Sequence, residues 1–348
     1  MASPTSSSQF GFCVPVFAHP GGSFFRVPSW TNLDPSETIR GALLAEELGY
    51  DSLWVADHLI HGHEGGIFEG WSTLAFLAGR TRRIRLGTIH LAHFFRAPSL
   101  TAKMAATLDV LSNGRLIFFY DTGCGSPECD AYGLNLPPPG ERFARLDEGL
   151  TLIRQLWGSR EPLTFDGAYY RTKDAVCMPH PTQQPTPPIW LGEVRDDRWL
   201  DIVCKHATGW NSTPASVDDF RSKLDLLGTA ARRAGRDLDS FELSLEIEIL
   251  IRPNRASVRE TMEQIAGLPP SGPAKARADV VSFLETSRDT RFPASYENRV
   301  LIGTPDEVID RIRAYQALGV GHFMLWFLDF PSPQGMELFA SKVLPHVR

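Results

Sequence analysis

The chain has 348 residues, a formal charge of −6 and a pI near 5.9, a balance that argues against nucleic acid or an anionic membrane as its main partner. Its five cysteines (Cys13, Cys124, Cys129, Cys177 and Cys204) are odd in number and scattered, which excludes a disulfide framework and suits a reducing, cytoplasmic setting. No run approaches the ~18 apolar residues of a membrane span, and residues 1–9 lack the charge and apolar core of a signal peptide, so they read as a flexible tail.

Strand-like apolar runs follow in chain order at 10–17, 52–56, 84–91, 116–120, 189–192, 207–211, 243–251 and 323–327. Such near-continuous runs are the pattern of parallel strands buried on both faces. Helical patterns lie between them, for example at 100–111, 148–157 and 217–234, and Ser112-Asn113-Gly114 reads as a tight turn back into a strand. Near each end of the chain the same unit recurs. Asp34-Pro35-Ser36-Glu37 opens a helix that stops at Gly49, and Thr304-Pro305-Asp306-Glu307 opens one that stops at Gly319. Each has an N-cap residue, proline at N1, glutamate at N3 and a glycine suited to C′. A capped helix feeding an apolar strand at both ends implies a closed (β/α)₈ barrel of the TIM type, one domain over 10–348.

Two connections exceed simple barrel loops, giving long insertions after strands four and seven. Residues 134–188 hold a helix and then a proline-rich run; residues 253–298 hold a helical stretch and an irregular segment with Gly272, Pro273 and Pro293. The second insertion, with Arg288, Arg291 and Arg299, is a candidate lid, with packing on the barrel flank as the equal alternative.

In this fold chemistry gathers at the C-terminal ends of the strands. Those ends carry Phe17, Asp57-His58, His90-Leu91-Ala92-His93, Asp121-Thr122-Gly123-Cys124-Gly125, Gly192-Glu193-Val194-Arg195, Glu246 to Arg252, and Trp326 to Phe330. Asp57-His58 is the sharpest pair, since ionisable groups directly after a buried strand must be solvated, paired or used; a pair that merely fixes a loop is the alternative. Asp57, His58, His61 and His63, with His90 and His93, also invite a metal-dependent hydrolase reading. His61 to Gly66 reads as a flexible glycine-rich loop, however, and no carboxylate completes a ligand set, so no metal is expected. Gly123-x-Gly125 has Glu128 where a dinucleotide fingerprint needs a third glycine, so no Rossmann-type nicotinamide site is read.

The run from Leu48 to His58 resembles the second-strand signature of the bacterial luciferase-like monooxygenases. Ile84-Arg85-Leu86-Gly87-Thr88, Arg96-Ala97-Pro98, the run from Ala102 to Asp109, Ser112 to Leu116, Glu141 to Glu148 and Ile302 to Val308 continue the likeness in order. That resemblance implies a reduced FMN at the strand ends, reacting with O₂ through a flavin C4a-(hydro)peroxide in a two-component monooxygenase. The reduced FMN would come from a separate NAD(P)H:flavin reductase. The alternative on the same barrel is the deazaflavin coenzyme F420, which carries hydride without oxygen; a barrel that only binds flavin is a further possibility.

On the resemblance, His58 is the proton-handling residue with Asp57 beside it. His90, Leu91 and Ala92 fall where the family backs the ring with a bulge containing a non-prolyl cis peptide. Asp121, Thr122, Gly123, Gly192, Glu193 and Arg195 fall near the ring edge and phosphate, with Arg195 in place of the usual Gly-Gly-Ser-Ser-like turn. Glu246 and Glu248 argue against a sulfonate substrate; with Phe17, Trp326 and Arg291 they are the expected substrate-binding set for a largely apolar small molecule. A homodimer or higher homo-oligomer is the family expectation.

Overall fold

Eight parallel strands close on themselves: β1 (Gln9–Cys13), β2 (Ser52–Ala56), β3 (Arg85–Ile89), β4 (Leu116–Asp121), β5 (Ile189–Gly192), β6 (Gly209–Ser212), β7 (Glu242–Ile251) and β8 (Val320–Phe327). Closure is made where Phe10 of β1 lies opposite Phe323 of β8, and helices alternate with the strands as a TIM barrel requires. The computed structural model describes residues 7–17, 33–123, 125–266 and 278–348; most of the tail, Cys124, and Gly272 and Pro273 of the second insertion lie outside them. Among the described residues no helix is long and apolar enough to cross a membrane.

The two terminal units form as their sequences dictate. Helix Pro35–Glu47 starts with the Asp34 carboxylate accepting the Ser36 N–H at 2.8 Å, and Pro305–Gln316 starts with a reciprocal Thr304/Glu307 capping box. Gly49 (φ 83°) and Gly319 (φ 92°) turn the chain out of each helix in the left-handed region, where a Cβ is disfavoured.

Glycine also decides how the barrel is filled. Trp54 and Trp190 are fully buried, with ring centroids 5.2 Å apart. A Cβ on Gly87 would lie 2.3 Å from the Trp54 ring, and one on Gly209 would lie 2.3 Å from the Trp190 indole nitrogen. Below these rings runs a satisfied polar chain. His322 donates from Nδ1 to Glu242 (3.2 Å), Ser52 donates to His322 Nε2 (2.8 Å), and Trp54 Nε1 donates to the Ser52 oxygen (2.8 Å). Burial holds His322 below its ordinary pKa, which keeps the ring neutral for this pattern.

Several residues of the family-like motifs turn out to be staples of the barrel wall. Arg115 donates to the carbonyls of Ser112, Ile84, Ala78 and Thr81 and to the Thr81 hydroxyl, tying β4 to the end of helix Gly70–Arg80. Glu148 accepts the N–H groups of Ala168, Tyr169 and Tyr170.

Boundaries differ from expectation for stateable reasons. β1 stops at Cys13 because Pro15 cannot donate to the ladder; the chain returns as an isolated bridge between Phe17 and Ile67. Strand three breaks at a cis peptide between Ile89 and His90, after which Leu91–Ala92 pairs with Tyr120 and Asp121 and extends β4 by one residue. The first insertion holds helix Pro139–Gly158 and an antiparallel hairpin (Leu163–Asp166 with Arg171–Ala175) that the sequence reading lacks, since the alternation of its first strand spans only four residues and its second strand is mostly polar. In the second, helices Arg255–Ala266 and Ala294–Glu297, with Val280 and the edge strand Leu301–Gly303, build a second apolar cluster on the flank of β7.

Candidate active site

The end of β2 is fixed by an ion cluster. Asp57 is 3% exposed; its Oδ2 accepts the Ala92 N–H (2.9 Å) and Arg96 Nη1 (2.9 Å), and its Oδ1 accepts Arg96 Nη2 (3.0 Å). Arg96 also donates to Glu69. Burial works against the Arg96 charge, but these two carboxylates more than offset it and raise its pKa. Both Asp57 oxygens are thus committed, and their effect is to hold the backbone of the Leu91–Ala92 bulge.

His58 stands differently. Its Nδ1 donates to Glu128 Oε1 at 3.1 Å, and Glu128 Oε2 accepts the Leu59 N–H at 2.9 Å. Glu128 is 6% exposed while the His58 side chain is 35% exposed, so a buried carboxylate backs an imidazole that solvent can reach. His61 stacks on His58 at 4.9 Å, and Phe17 meets His61 edge-on at 4.4 Å. The side chain of His63 is outside the described residues. Among those described, no three histidine, cysteine or acidic side chains form a group that could hold a metal ion.

Beyond the cis peptide, the His90 ring lies edge-on to Phe119 at 4.4 Å. Its Nε2 is buried with no hydrogen-bond partner among the described residues. Burial lowers its pKa, so the imidazole is neutral and keeps one enclosed polar atom unused at the end of β3. His93, by contrast, points into the wall; Tyr120 and Tyr170 hydroxyls hold its two nitrogens at 2.8 and 2.7 Å, and burial depresses it to about 3.

The ends of β4 and β5 form one network. Arg195 reaches both Asp121 oxygens (2.7 Å each) and the Thr122 hydroxyl (2.9 Å), and stacks over Trp199 at 4.2 Å. Glu193, at φ 65°, accepts the Thr213 N–H (2.6 Å) and Lys223 Nζ (2.8 Å). Burial alone would raise its pKa, but the Lys223 and Thr213 hydrogen bonds carry it below the usual range. The Gly192 and Glu193 carbonyls accept the Trp199 indole N–H at 2.9 and 3.1 Å. Gly123 (φ 68°) packs so closely on Ala92 that a Cβ would lie 2.5 Å away, locking the β4 turn to the bulge.

Expected substrate-binding residues divide. Glu246 and Trp326 meet inside the mouth, Trp326 Nε1 donating to Glu246 Oε1 at 2.6 Å, and Glu248 lies buried one repeat further along β7. Phe17 lies 6.1 Å from Trp326, ring to ring. Arg291 is apart from them: its side chain is 70% exposed and pairs with Glu307 at 3.0 Å on the flank.

Sequence reading missed Glu128, Arg96 and Lys223. Arg96 stood inside a quoted motif with no role attached, and Glu128 was noticed only as the residue that breaks a glycine pattern. Neither pairing leaves a local signal, since Glu128 is seventy positions from His58 and Arg96 thirty-nine from Asp57.

A family model described as luciferase-like monooxygenase matches residues 10–322. An F420-dependent glucose-6-phosphate dehydrogenase of Microbacterium testaceum (strain StLB037) is 29% identical over 322 residues, covering 90% of this chain and 94% of that protein. The structure of an F420-dependent secondary alcohol dehydrogenase in complex with an F420–acetone adduct superposes with a TM-score of 0.74 at 19% identity, over 99% of this chain and all of that one. The monooxygenase RslO1 from Streptomyces bottropensis superposes with a TM-score of 0.75 at 25% identity, over 98% of this chain and all of that one.

The dehydrogenase relative corrects the cofactor expectation. Reduced FMN, O₂, a C4a-(hydro)peroxide, flavoprotein monooxygenase activity and a separate flavin reductase do not stand against a match over nine-tenths of the chain to a protein named for F420. The physical reason for the miss is that motif residues such as Arg115 and Glu148 spend their polar atoms on the backbone of the barrel wall. At the level the comparisons reach, the chain belongs to the luciferase-like monooxygenase family and is an oxidoreductase built on that family's (β/α)₈ barrel.

Proposed function

We propose that this protein is an F420-dependent oxidoreductase that transfers hydride between the deazaflavin and the carbon of an alcohol/carbonyl pair, with no role for oxygen. Three observations support the reading: the F420-dependent relative, the solvent-reachable imidazole backed by a buried carboxylate, and the enclosed, partnerless His90 Nε2 beside Phe119. A ring bearing carbonyl and N–H groups along one edge would satisfy that enclosed nitrogen once the His90 side chain turns toward it from beside Phe119. His90, the Leu91–Ala92 bulge, Thr122 and Gly123 would hold it there. Bound F420 supplies a two-electron hydride carrier.

The chain's own residues do the rest. Because Nδ1–H of His58 is engaged by Glu128, the neutral ring keeps its lone pair on Nε2. In alcohol oxidation Nε2 takes the hydroxyl proton as the carbinol hydrogen leaves with the C–H electron pair, a hydride that bound F420 would accept; in the reverse direction it returns that proton to the carbonyl oxygen. Glu128 then sits against an imidazolium, stabilising the charge and fixing the ring's direction, the part a buried carboxylate plays in triads. Asp57 acts as a positioning residue through Arg96 and the Ala92 amide. Phe17 and Trp326 keep water from the reacting carbon. Cys13, Cys177 and Cys204 are buried free thiols, which accords with a reducing, cytoplasmic setting.

The test is anaerobic. F420 fluorescence should change on binding, and a secondary alcohol should then bleach the deazaflavin without oxygen. Binding of FMN but not F420, or turnover only in air, would overturn the proposal.

A further inference from the structure

We propose that Glu246 reads the oxygen-bearing end of the substrate and restricts the mouth to neutral substrates, so that a phosphorylated sugar is excluded. The proposal rests on the hydride-transfer reading of the same site and narrows its substrate class.

Its first support is geometric. Glu246 lies on β7 opposite Met324 of β8, one layer above Asn211, whose side-chain nitrogen donates to Ser244 at 2.8 Å. Trp326 Nε1 takes up Oε1 at 2.6 Å. Oε2 has no partner among the described residues, yet it is not among the fully enclosed unpartnered atoms. The carboxyl is therefore anchored by one oxygen, and the other is left to meet a ligand at the inner end of β7. Deep seating favours its protonated form, lifting it to about 7; the nearby Glu193 charge adds to the rise, and the Trp326 bond opposes it. The other titratable group facing it is Cys13 of β1, and Glu248 follows on its own strand. The protonated carboxyl donates to the substrate oxygen, which accepts equally as a carbonyl or as a hydroxyl whose own proton goes to His58, so one form suits both members of an alcohol/carbonyl pair.

The second support is the charge pattern around it. At the strand ends each described cation already faces a carboxylate: Arg96 with Asp57, Arg195 with Asp121, Lys223 with Glu193 and Arg252 with Asp329. Helix Asp197–His206, whose first turn points toward the mouth end of β5, carries Asp196 as its cap and Asp197 in its first turn, so its positive end is also occupied. A phosphate dianion would have to displace one of these pairs or remain buried without a counter-charge. A neutral hydroxyl meets no such barrier.

The experiment uses full-length protein with four probes: propan-2-ol, cyclohexanol, glucose and glucose 6-phosphate. With F420 bound, the neutral probes should be oxidised, and kcat/KM for glucose 6-phosphate should be lower than for glucose by about 10²-fold or more. Glu246→Leu should raise KM for cyclohexanol at least ~10-fold with a smaller effect on kcat, and Glu246→Gln, which keeps a donor and an acceptor, should recover most of that loss.

A cofactor-free arm judges Glu246 separately. The indole N–H signal of Trp326 in ultraviolet resonance Raman, read as wild type minus Glu246→Gln, should shift with cyclohexanol and not with glucose 6-phosphate. Turnover of glucose 6-phosphate equal to that of glucose, an unchanged KM in Glu246→Leu, or no Trp326 shift with cyclohexanol overturns the Glu246 role. If F420 still binds and is reduced in those cases, the hydride reading survives. Failure of F420 to bind removes the hydride reading instead and leaves the Raman arm to decide on Glu246. Should Glu246→Leu not fold, Glu246→Gln and the Raman comparison still decide.

Discussion

Replacing Asp57 by alanine should lower stability by about 3–4 kcal/mol. Removing one partner of a buried ion pair costs about 3–5 kcal/mol; Glu69 remains on Arg96, which brings the term to the lower end. Loss of the acceptor for the buried Ala92 N–H adds about 1 kcal/mol. For 348 residues, an unfolding entropy of about 2.1 cal/mol/K per residue gives a sum near 0.7 kcal/mol/K, so Tm should fall by about 5 °C. Asp57→Asn, which keeps an acceptor for Ala92 but not the charge, should fall between alanine and wild type. The assay is a calorimetric melt of wild type, Asp57→Ala, Arg96→Met and the double variant. Because both single changes break the same pair, the cycle should show a coupling of about 2 kcal/mol. A Tm within ~1 °C of wild type, or strictly additive effects, would refute the positioning role and return Asp57 to the reacting groups.

Other consequences can be checked in parallel. His58→Ala should bind F420 normally while kcat falls by ~10²-fold or more, as measured by anaerobic deazaflavin bleaching; an unchanged kcat contradicts its role in proton transfer. Glu128→Gln, which leaves one oxygen for the two donors and removes the charge behind the imidazole, should reduce kcat by ~10-fold or more and leave F420 affinity unaltered in a fluorescence titration. Gly87→Ala should cost about 1–3 kcal/mol in urea unfolding, because the new methyl would stand 2.3 Å from the Trp54 ring in a filled barrel. Glu246 gives a pH signature. Its pKa in the folded protein, about 7, is above the ordinary 4.5, so its contribution is full below pH ~4.5 and is lost as pH rises through ~7. Between those values wild type should lose stability relative to Glu246→Gln; parallel urea midpoints across the range would contradict the assignment.

The barrel was legible because its signals are local. Asp34, Pro35 and Gly49 specify a helix with both ends marked, Thr304, Pro305 and Gly319 do so again, and each buried strand is an apolar run that needs no partner to be recognised. The site was legible only as positions. Barrel topology places Asp57, His58, His90, Asp121 and Glu193 at one end, but nothing nearby in sequence tells which charge each one meets. Glu128 behind His58 and Arg96 behind Asp57 are long-range facts, and they separate an imidazole open to the mouth from a carboxylate closed into the wall. The cofactor was harder still. Motif residues such as Arg115 and Glu148 secure helix ends and strand joints of this barrel, so they say little about a cofactor.

The most direct measurement follows the transferred hydrogen itself. A secondary alcohol deuterated at its carbinol carbon is turned over with F420 under ¹⁸O₂, and both products are weighed by mass spectrometry. Deuterium in the reduced deazaflavin with no ¹⁸O in the organic product is the predicted result; ¹⁸O in the organic product, or a deazaflavin that stays unlabelled, contradicts hydride transfer at this site.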